Sequence, residues 1–344
     1  MTDKILKIRE AELPNPDFAI PSGIVVAKEE GYQETMDTAC REWIDSFVES
    51  DTFEIDGRRM QFYYGIPQGA SKVVVMVHGF CEFFGKYHEL AWYLYQAGFG
   101  FFFMEQRGHG RSHREVEDKQ VVHIDNFDDY VADMKIFVED VVNRIAPDEE
   151  KILFGHSMGG CVSTLLLEEY PELFKKAFLS SPMLQIITGG VPKAGLALIH
   201  AGVAITHKQK QLSLYQGKFE EEPSFEESCC LSKARFDYQQ KLRIADDNYQ
   251  TAGGSFGWVF ESLAATKKVQ ENFSKIKAEK VLLVQAGLDH LVDVKGYTPK
   301  LLEDVTNVKD FQVIRYEEAK HEVFNGTQPI VEDFVGRLLK FVSE

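Results

Sequence analysis

The chain has 344 residues, of which 44% are hydrophobic and 12% aromatic, so it is long and apolar enough to bury a large core. Its 27% charged residues are ordinary for a folded protein and exclude a disordered chain. The 54 acidic residues outnumber the 38 basic ones and give a formal net charge of -16. A field of this sign repels nucleic acid phosphates and anionic membrane surfaces, so neither is expected as an electrostatic partner.

The cysteines and the N-terminus indicate the compartment. The cysteines are odd in number and form no CxxC pair, which is typical of reduced thiols in the cytoplasm; they are Cys40, Cys81, Cys161, Cys229 and Cys230. Residues 1–18 lack the apolar core of a signal peptide. No stretch reaches the ~18 apolar residues of a membrane span. We therefore expect a cytoplasmic protein without stable membrane insertion.

The first half of the chain alternates between predicted strands and helices. Residues 1–50 form a lead-in, which we expect to pack on the core. Strands are predicted over 53–57 and 60–64, joined across an Asp-Gly turn. Short apolar runs over 72–77, 100–104, 151–154 and 176–180 are typical of strands buried on both faces. Helices predicted near 90–97, 127–144 and 158–170 separate these strands. Such alternation predicts a mostly parallel sheet with helices on both faces.

The alternation stops near residue 185 and resumes near residue 276. Residues 185–275 have a helical pattern without a buried strand. Strands are then predicted over 280–285 and 311–316, with a helix near 297–302 between them and a last helix that has Pro329 in its first turn. We interpret 185–275 as a helical cap inserted over the carboxyl edge of the sheet, between the two parts of the sheet domain, 51–184 and 276–344.

A serine lies between a predicted strand and a predicted helix. Residues 155–159, Gly-His-Ser-Met-Gly, match the G-x-S-x-G pattern of a nucleophile on a strained strand-to-helix turn. Glycines flank the serine because side chains there would clash in so sharp a turn. The first turn of the helix supplies N–H groups and a positive dipole end for a developing oxyanion. The motif predicts Ser157 as the nucleophile of an α/β-hydrolase fold, in which the strands predicted above form a mostly parallel eight-stranded sheet with an inserted helical cap.

A second motif follows the strand over 72–77. A His-Gly pair at the end of this strand is where such folds place an oxyanion donor. We expect the backbone N–H groups of Phe80 and Met158 to be the two donors. Residues near these positions, and one aromatic residue of the cap, are candidates for substrate contact: His78, Gly79, His156 and Trp258.

The general base and its acid follow from chain order, which in this fold is Ser, then acid, then His. Downstream of the cap only His290 and His321 occur. His321 is favoured because it lies just after the last predicted strand, whereas His290 directly follows the acid candidate Asp289. Asp289 lies closest to a strand end, where a carboxylate can hold an imidazole N–H. Asp293 is the alternative acid, but it is better placed to cap the next helix.

These motifs resemble the monoacylglycerol lipase and lysophospholipase branch of the α/β hydrolases, grouped with the serine aminopeptidase-like family. The matching segments are 78–100, 105–112, 127–134, 155–160, 285–293 and 319–326. The resemblance implies triad roles for Ser157, Asp289 and His321. It also implies oxyanion roles for Phe80 and Met158. Residues 235–262 resemble bacterial lysophospholipases more than mammalian monoacylglycerol lipases. Glu105 departs from the Asp that the family usually has in D-x-R-G-H-G, at a structural position.

The resemblance implies a serine hydrolase that cleaves carboxylic esters through an acyl-enzyme, most simply a lysophospholipase or monoacylglycerol lipase acting on single-chain lipids. One alternative is a small-ester carboxylesterase. Another is a serine aminopeptidase, which needs an acidic group for the substrate amine, and residues 220–222 or 246–247 are candidates. A non-enzymatic scaffold is the remote alternative, because no triad member is missing.

Cofactors are not predicted. The chain has no HExxH, no clustered Cys and His, and no phosphate loop, so neither a metal nor an organic cofactor is expected. The expected partner is a small-molecule ester or lipid substrate. The sequence does not specify an oligomeric state.

Overall fold

In the computed structural model, which describes residues 8–214 and 216–344, the apolar runs form one large sheet. The strands, in chain order, are β1 (Ile8–Glu10), β2 (Glu49–Ile55), β3 (Arg58–Gly65), β4 (Lys72–Val77), β5 (Gly100–Met104), β6 (Val121–Val122), β7 (Glu150–His156), β8 (Lys176–Ser180), β9 (Gly253–Gly254), β10 (Lys280–Ala286) and β11 (Asp310–Tyr316). The large sheet has the order β1-β11-β10-β8-β7-β4-β5-β3-β2.

This sheet has nine strands among the described residues, one more than the eight predicted. The additional strand is β1 of the lead-in, which pairs parallel with β11. Every other neighbouring pair from β5 to β11 is also parallel, whereas β3 is antiparallel to both β5 and β2. The mostly parallel sheet predicted from the alternation is thereby confirmed.

The helices cover both faces of the sheet. They are α1 (Tyr32–Thr35), α2 (Arg41–Phe47), α3 (His88–Gln96), α4 (Asp128–Ile136), α5 (Asn143–Ile145), α6 (Met158–Glu169), α7 (Lys193–Thr206), α8 (Lys233–Ala245), α9 (Phe256–Asn272), α10 (Val294–Asp304) and α11 (Gln328–Ser343). Side chains of β4 alternate between two cores, with Val73 and Val75 in the one that α4 and α6 cover and Val74 in the one that α3 and α11 cover. The predicted helix over 127–144 is α4 and α5, joined by a π-helical turn.

Residues 185–275, here called the insertion, join two strands that are neighbours in the sheet, β8 and β10. The insertion contains α7, α8 and α9, together with the short strand β9, which pairs with β6. The sequence did not predict β9, because Gly253 and Gly254 have no side chains to form an apolar run. Helix α9 extends from the insertion into the core, where its Val269 is fully buried in the same cluster as β4 and β10.

A buried arginine joins the insertion to the rest of the protein. The Arg235 guanidinium of α8 donates from Nε and Nη2 to the Glu89 carboxylate at 2.9 and 2.8 Å, and from Nη1 to Glu29 at 3.1 Å. The hydroxyls of Tyr32 and Tyr93 also donate to Glu89, at 2.9 and 2.7 Å. The lead-in, α3 and the insertion are therefore held at a single charged centre, with every strong donor and acceptor paired.

Two further observations concern the whole described chain. All five cysteines are free thiols. Within 8–214 and 216–344, no helix combines the length and the apolar character that crossing a membrane requires.

Candidate active site

Ser157 lies at the turn between β7 and α6. Its backbone is in the left-handed region, with φ of 54°, and its carbonyl oxygen accepts the Met183 N–H at 2.8 Å. The two neighbouring glycines are required by close contacts. A Cβ at Gly155 would lie 2.3 Å from the Ser163 hydroxyl, and one at Gly159 would lie 2.1 Å from a backbone carbonyl oxygen at the end of β4. The G-x-S-x-G pattern thus lets a strained serine lie at the carboxyl edge of the sheet.

Ser157, His321 and Asp289 form a continuous hydrogen-bonded chain. The Ser157 hydroxyl lies 2.8 Å from Nε2 of His321, and Nδ1 of His321 lies 2.7 Å from Oδ2 of Asp289. With the imidazole proton on Nδ1, the hydroxyl donates to Nε2 and Nδ1–H donates to the carboxylate. The imidazole is therefore oriented to accept the serine proton.

Asp289 is held as a charged carboxylate. Its Oδ1 accepts the backbone N–H groups of Leu291 and Val292, both at 2.9 Å. Burial by itself would raise the pKa of Asp289, but His321 and these two N–H groups lower it below its ordinary value. Asp293 is instead the N-cap of α10, where it accepts the Gly296 N–H at 2.9 Å. The structure thus places Asp289, and not Asp293, against His321.

His290 lies apart from this chain of hydrogen bonds. Its side chain is exposed, and its ring Nε2 contacts Cys229 Sγ at 4.0 Å. Of the two histidines downstream of the insertion, only His321 contacts Ser157.

The loop of residues 78–82, which follows β4, lies directly against the serine. A Cβ at Gly79 would be 3.0 Å from Cβ of Ser157, so this close approach needs glycine. Phe80 is the residue after Gly79 in this loop, and Met158 is the residue after Ser157 and the first of α6. Neither backbone N–H has a hydrogen-bond partner among the residues that the structure describes. Two such donors can stabilise an oxyanion, each by about 2.7–4 kcal/mol.

Two of the candidate substrate contacts are occupied within the protein. His78 is fully buried, donates from Nδ1 to the Gly79 carbonyl at 2.7 Å and accepts the Gln106 N–H at Nε2 at 2.8 Å. His156 is also fully buried, and its Nδ1 lies 3.1 Å from the Ser180 carbonyl oxygen. Burial lowers the pKa of each imidazole to about 4, so both are neutral. We therefore correct both expectations: these histidines support the loops and do not face a substrate.

Trp258, the fourth candidate, lines an apolar cavity of about 620 Å³ within the insertion. None of the described lining residues is charged; they are Ile186, Ile187, Thr188, Gly189, Val191, Leu196, Ile199, Ser213, Leu214, Gln216, Phe256, Trp258, Val259, Phe260 and Leu263. The volume is within the roughly 300–1,000 Å³ of small-molecule sites. The Trp258 ring also stacks on the Phe80 ring of the 78–82 loop. One wall of the cavity thereby contacts the loop beside Ser157.

Glu105, the departure from the expected aspartate, fills a buried structural position. Its carboxylate accepts the Arg111 N–H at 2.7 Å. A Cβ added to Gly110 would lie 2.2 Å from this carboxylate and would clash with it. Burial raises the pKa of Glu105 to about 7, although the backbone N–H groups of Arg111 and Phe84 lower it. The longer side chain is accommodated because residue 110 is glycine.

Sequence reasoning missed a buried cluster of three charges beside the site, formed by Glu82, Lys86 and Glu322. The sequence does hold a sign of this cluster, because Glu82 and Lys86 closely follow Gly79 and Glu322 directly follows His321.

Comparisons with known proteins identify the family of the chain. A family model described as serine aminopeptidase, S33, matches residues 68–328. Lysophospholipase L2 of Escherichia coli K12 is 27% identical over 245 residues, which are 71% of this chain and 72% of that protein. Monoglyceride lipase of Mus musculus is 26% identical over 295 residues, 84% of this chain and 88% of that one.

The fold is also found in solved structures. A soluble variant of monoglyceride lipase from Saccharomyces cerevisiae, in complex with a substrate analog, aligns with a TM-score of 0.68 and 18% identity over 87% of this chain and 95% of that one. A thermostable carboxyl esterase from Bacillus coagulans aligns with a TM-score of 0.68 and 16% identity over 86% and 98%. The α/β-hydrolase fold and the resemblance expected from the motifs are confirmed. Because the family model spans most of its length, the chain belongs to the serine aminopeptidase S33 family of α/β hydrolases.

Proposed function

We propose that the protein hydrolyses carboxylic esters of single-chain lipids, monoacylglycerols or lysophospholipids, with Ser157 as the nucleophile. His321 Nε2 takes the hydroxyl proton while Oγ attacks the ester carbonyl, and Asp289 stabilises the imidazolium. The N–H groups of Phe80 and Met158 stabilise the oxyanion. His321 then protonates the leaving alcohol, which gives an acyl-enzyme. Water, deprotonated by His321, attacks this ester and releases the fatty acid and Ser157.

The observation that carries the choice of substrate is the apolar cavity beside the 78–82 loop. A cavity of about 620 Å³ without a charged lining residue among those described suits an acyl chain better than a polar group. Its wall residue Trp258 stacks on Phe80, so the cavity lies beside the loop that carries one of the proposed oxyanion donors. The names of the relatives, lysophospholipase and monoglyceride lipase, support the same substrate class.

We also propose that the insertion acts as a cap over the serine. All the described residues that line the cavity belong to it. The five free cysteines support the further proposal of a cytoplasmic location.

The aminopeptidase alternative has less support. Among its candidate anchors for a substrate amine, Asp246 pairs with Arg111, and Asp247 pairs with Lys119 at 3.0 Å. Residues 220–222 are exposed to solvent, as is usual for a charged surface.

The substrate class is tested with monoacyl esters of two to eighteen carbons, together with lysophosphatidylcholine, a diacyl phospholipid and an aminoacyl-anilide. Each buried methylene contributes about 0.8 kcal/mol, so kcat/KM should climb with chain length until the cavity is full and then level off or fall. Lysophosphatidylcholine should be cleaved far faster than the diacyl lipid, because the cavity admits one chain more readily than two. A maximum at two to four carbons without lysophospholipid turnover would overturn the proposal. Faster cleavage of the anilide would favour the peptidase.

A further inference from the structure

Lys86 is buried between two carboxylates at the edge of the candidate site. Its Nζ lies 2.6 Å from Oε1 of Glu82 and 2.5 Å from Oε1 of Glu322. The three side chains are only 11%, 4% and 9% exposed. Isolated charges in such a place are strongly unfavourable, and their mutual pairing offsets that cost only when the geometry is good. A buried cluster of this kind is weak evidence for stability, so its position needs another explanation.

The remaining oxygen of each carboxylate binds a loop beside Ser157. Glu82 Oε2 accepts the Gly79 N–H and the Tyr87 hydroxyl, each at 2.5 Å. Glu322 Oε2 accepts the Asn325 side-chain N–H at 2.7 Å, and the Cys230 thiol lies 3.2 Å from it. All four carboxylate oxygens are thereby satisfied by the lysine or by a loop.

The two loops are those that supply the reacting groups. Gly79 directly precedes Phe80, and an added Cβ on Gly79 would lie 2.8 Å from Glu82 Oε2 on one side and 3.0 Å from Ser157 Cβ on the other. Glu322 directly follows His321, whose Nε2 contacts the same serine. The cluster is therefore linked to Ser157 through Gly79 and through His321, the neighbour of Glu322 in sequence.

The charges of the cluster depend on one another. Burial by itself would raise the pKa of Glu82 and of Glu322, but the Lys86 ammonium lowers both. Burial would likewise lower the pKa of Lys86, and the two carboxylates raise it instead. Removal of Lys86 would leave two buried carboxylates without a counter-charge, and removal of either carboxylate would take from Lys86 one of its two partners.

We infer that Glu82, Lys86 and Glu322 are positioning residues for ester hydrolysis, which together hold the Phe80 N–H and the His321 imidazole in place around Ser157. The hydrogen bonds and ion pairs described for the three side chains do not include Ser157. Their effect is exerted through the 78–82 loop and through the loop that carries His321. The inference rests on the proposed roles of Ser157, His321 and Phe80.

The test measures kcat, KM and melting temperature with a p-nitrophenyl ester for Glu82→Gln, Glu322→Gln, the double variant, Lys86→Met and Lys86→Arg. Misplacement of the loops should lower kcat by about ten- to a hundredfold in each single carboxylate variant with little change in KM. Because the carboxylates act through one lysine, the double variant should lose little more than the worse single variant. Lys86→Arg should recover part of the activity that Lys86→Met loses.

The control is Arg337→Met, which breaks another buried ion pair, with Asp333, on α11. It should lower the melting temperature without a comparable loss of kcat. Unchanged kcat in Glu82→Gln and Glu322→Gln, or multiplicative losses in the double variant, would overturn the inference. So would a Lys86→Arg variant that recovers melting temperature but no activity. Labelling of the wild type by a fluorophosphonate at Ser157 tests the proposed function separately, and its absence would refute that function first.

Discussion

Trp258 and Phe80 stack with ring centroids 3.8 Å apart and ring planes inclined by 27°. One ring belongs to the insertion and lines its apolar cavity, and the other belongs to the residue whose N–H is the proposed oxyanion donor. The insertion and the 78–82 loop are thus in direct contact through these two rings.

We predict that Trp258→Ala will lower kcat/KM for long-chain esters by at least about tenfold, and by much less for an acetyl ester. The reason is that the cavity loses the indole ring that lines it, whereas Ser157, His321 and Asp289 keep their hydrogen bonds. Trp258→Phe, which keeps a stacked ring, is the matched control and should retain most of the chain-length preference. Because Trp→Ala in a core costs about 3–5 kcal/mol, melting temperature must be followed as well. An equal loss for short and long esters would contradict this role.

Ser157→Ala should reduce kcat on the order of 10⁶-fold, as for removal of a serine nucleophile in subtilisin. The fold should be retained, because the turn is held by backbone hydrogen bonds to Ser157 and not by its hydroxyl. A fluorophosphonate should label the wild type once and the variant not at all. Labelling of a different serine would show that the nucleophile is elsewhere.

Asp289 and Asp293 provide a matched pair of acidic residues. Asp289→Asn should reduce kcat by about 10⁴-fold, by analogy with the serine-protease triad, because the amide no longer stabilises the imidazolium. Asp293→Asn should change kcat little, since asparagine is also a good N-cap. His321→Ala should cost about as much as Ser157→Ala, because the two residues act as a unit. A larger loss in Asp293→Asn than in Asp289→Asn would reverse the assignment.

Glu168 on α6 predicts a pH dependence of stability. The residue is 6% exposed, and neither carboxylate oxygen has a hydrogen-bond partner among the described residues. Burial, and then the charge of Glu169, raise its pKa to about 9, although Lys275 and Lys268 lower it. A carboxyl whose pKa is raised in the folded state contributes stability below its unfolded pKa of about 4.3. That contribution is lost as pH rises toward 9.

Glu168→Gln should therefore unfold at a higher denaturant concentration than the wild type at pH 7 to 8. The expected gain in the free energy of unfolding is on the order of 1–3 kcal/mol. This gain should shrink toward zero as pH falls to about 4, where the wild-type carboxyl is protonated in both states. Glu172→Gln serves as the control, since that carboxylate is exposed and is not among the charges that raise the pKa of Glu168. A difference between Glu168→Gln and wild type that does not vary with pH would contradict the prediction.

The parts of the fold that could be predicted are those determined by residues close together in sequence. The runs that became β4, β5 and β8 are apolar without interruption because both faces of these strands are buried. Ser157 was found because its strained turn demands glycines at fixed spacings. Asp289 and His321 followed because the carboxyl ends of parallel strands meet at one edge.

The parts that were missed depend on partners distant in sequence. Glu322 pairs with a lysine 236 residues away, and Arg235 pairs with a glutamate 146 residues away. Neither pairing leaves a periodic pattern. Strand β1 has three described residues and no apolar run among them, and its pairing with β11 defines it. His78 and His156 lie next to the right residues in sequence, but their rings turn inward to backbone partners.

The two edge strands of the sheet, β1 and β2, affect whether a strand of another protein chain can add to it. Within the described part of the chain, strand β1 offers three residues for further pairing, and β2 has exposed acidic side chains at Glu49, Asp51 and Glu54. A short edge strand disfavours the addition of a strand from another chain because few hydrogen bonds can form. A charged edge strand disfavours it because the added strand must pack against those charges. We therefore expect the folded protein to resist edge-to-edge aggregation. A truncation that removes the first ten residues would uncover β11, a longer and largely apolar edge, and make such aggregation easier.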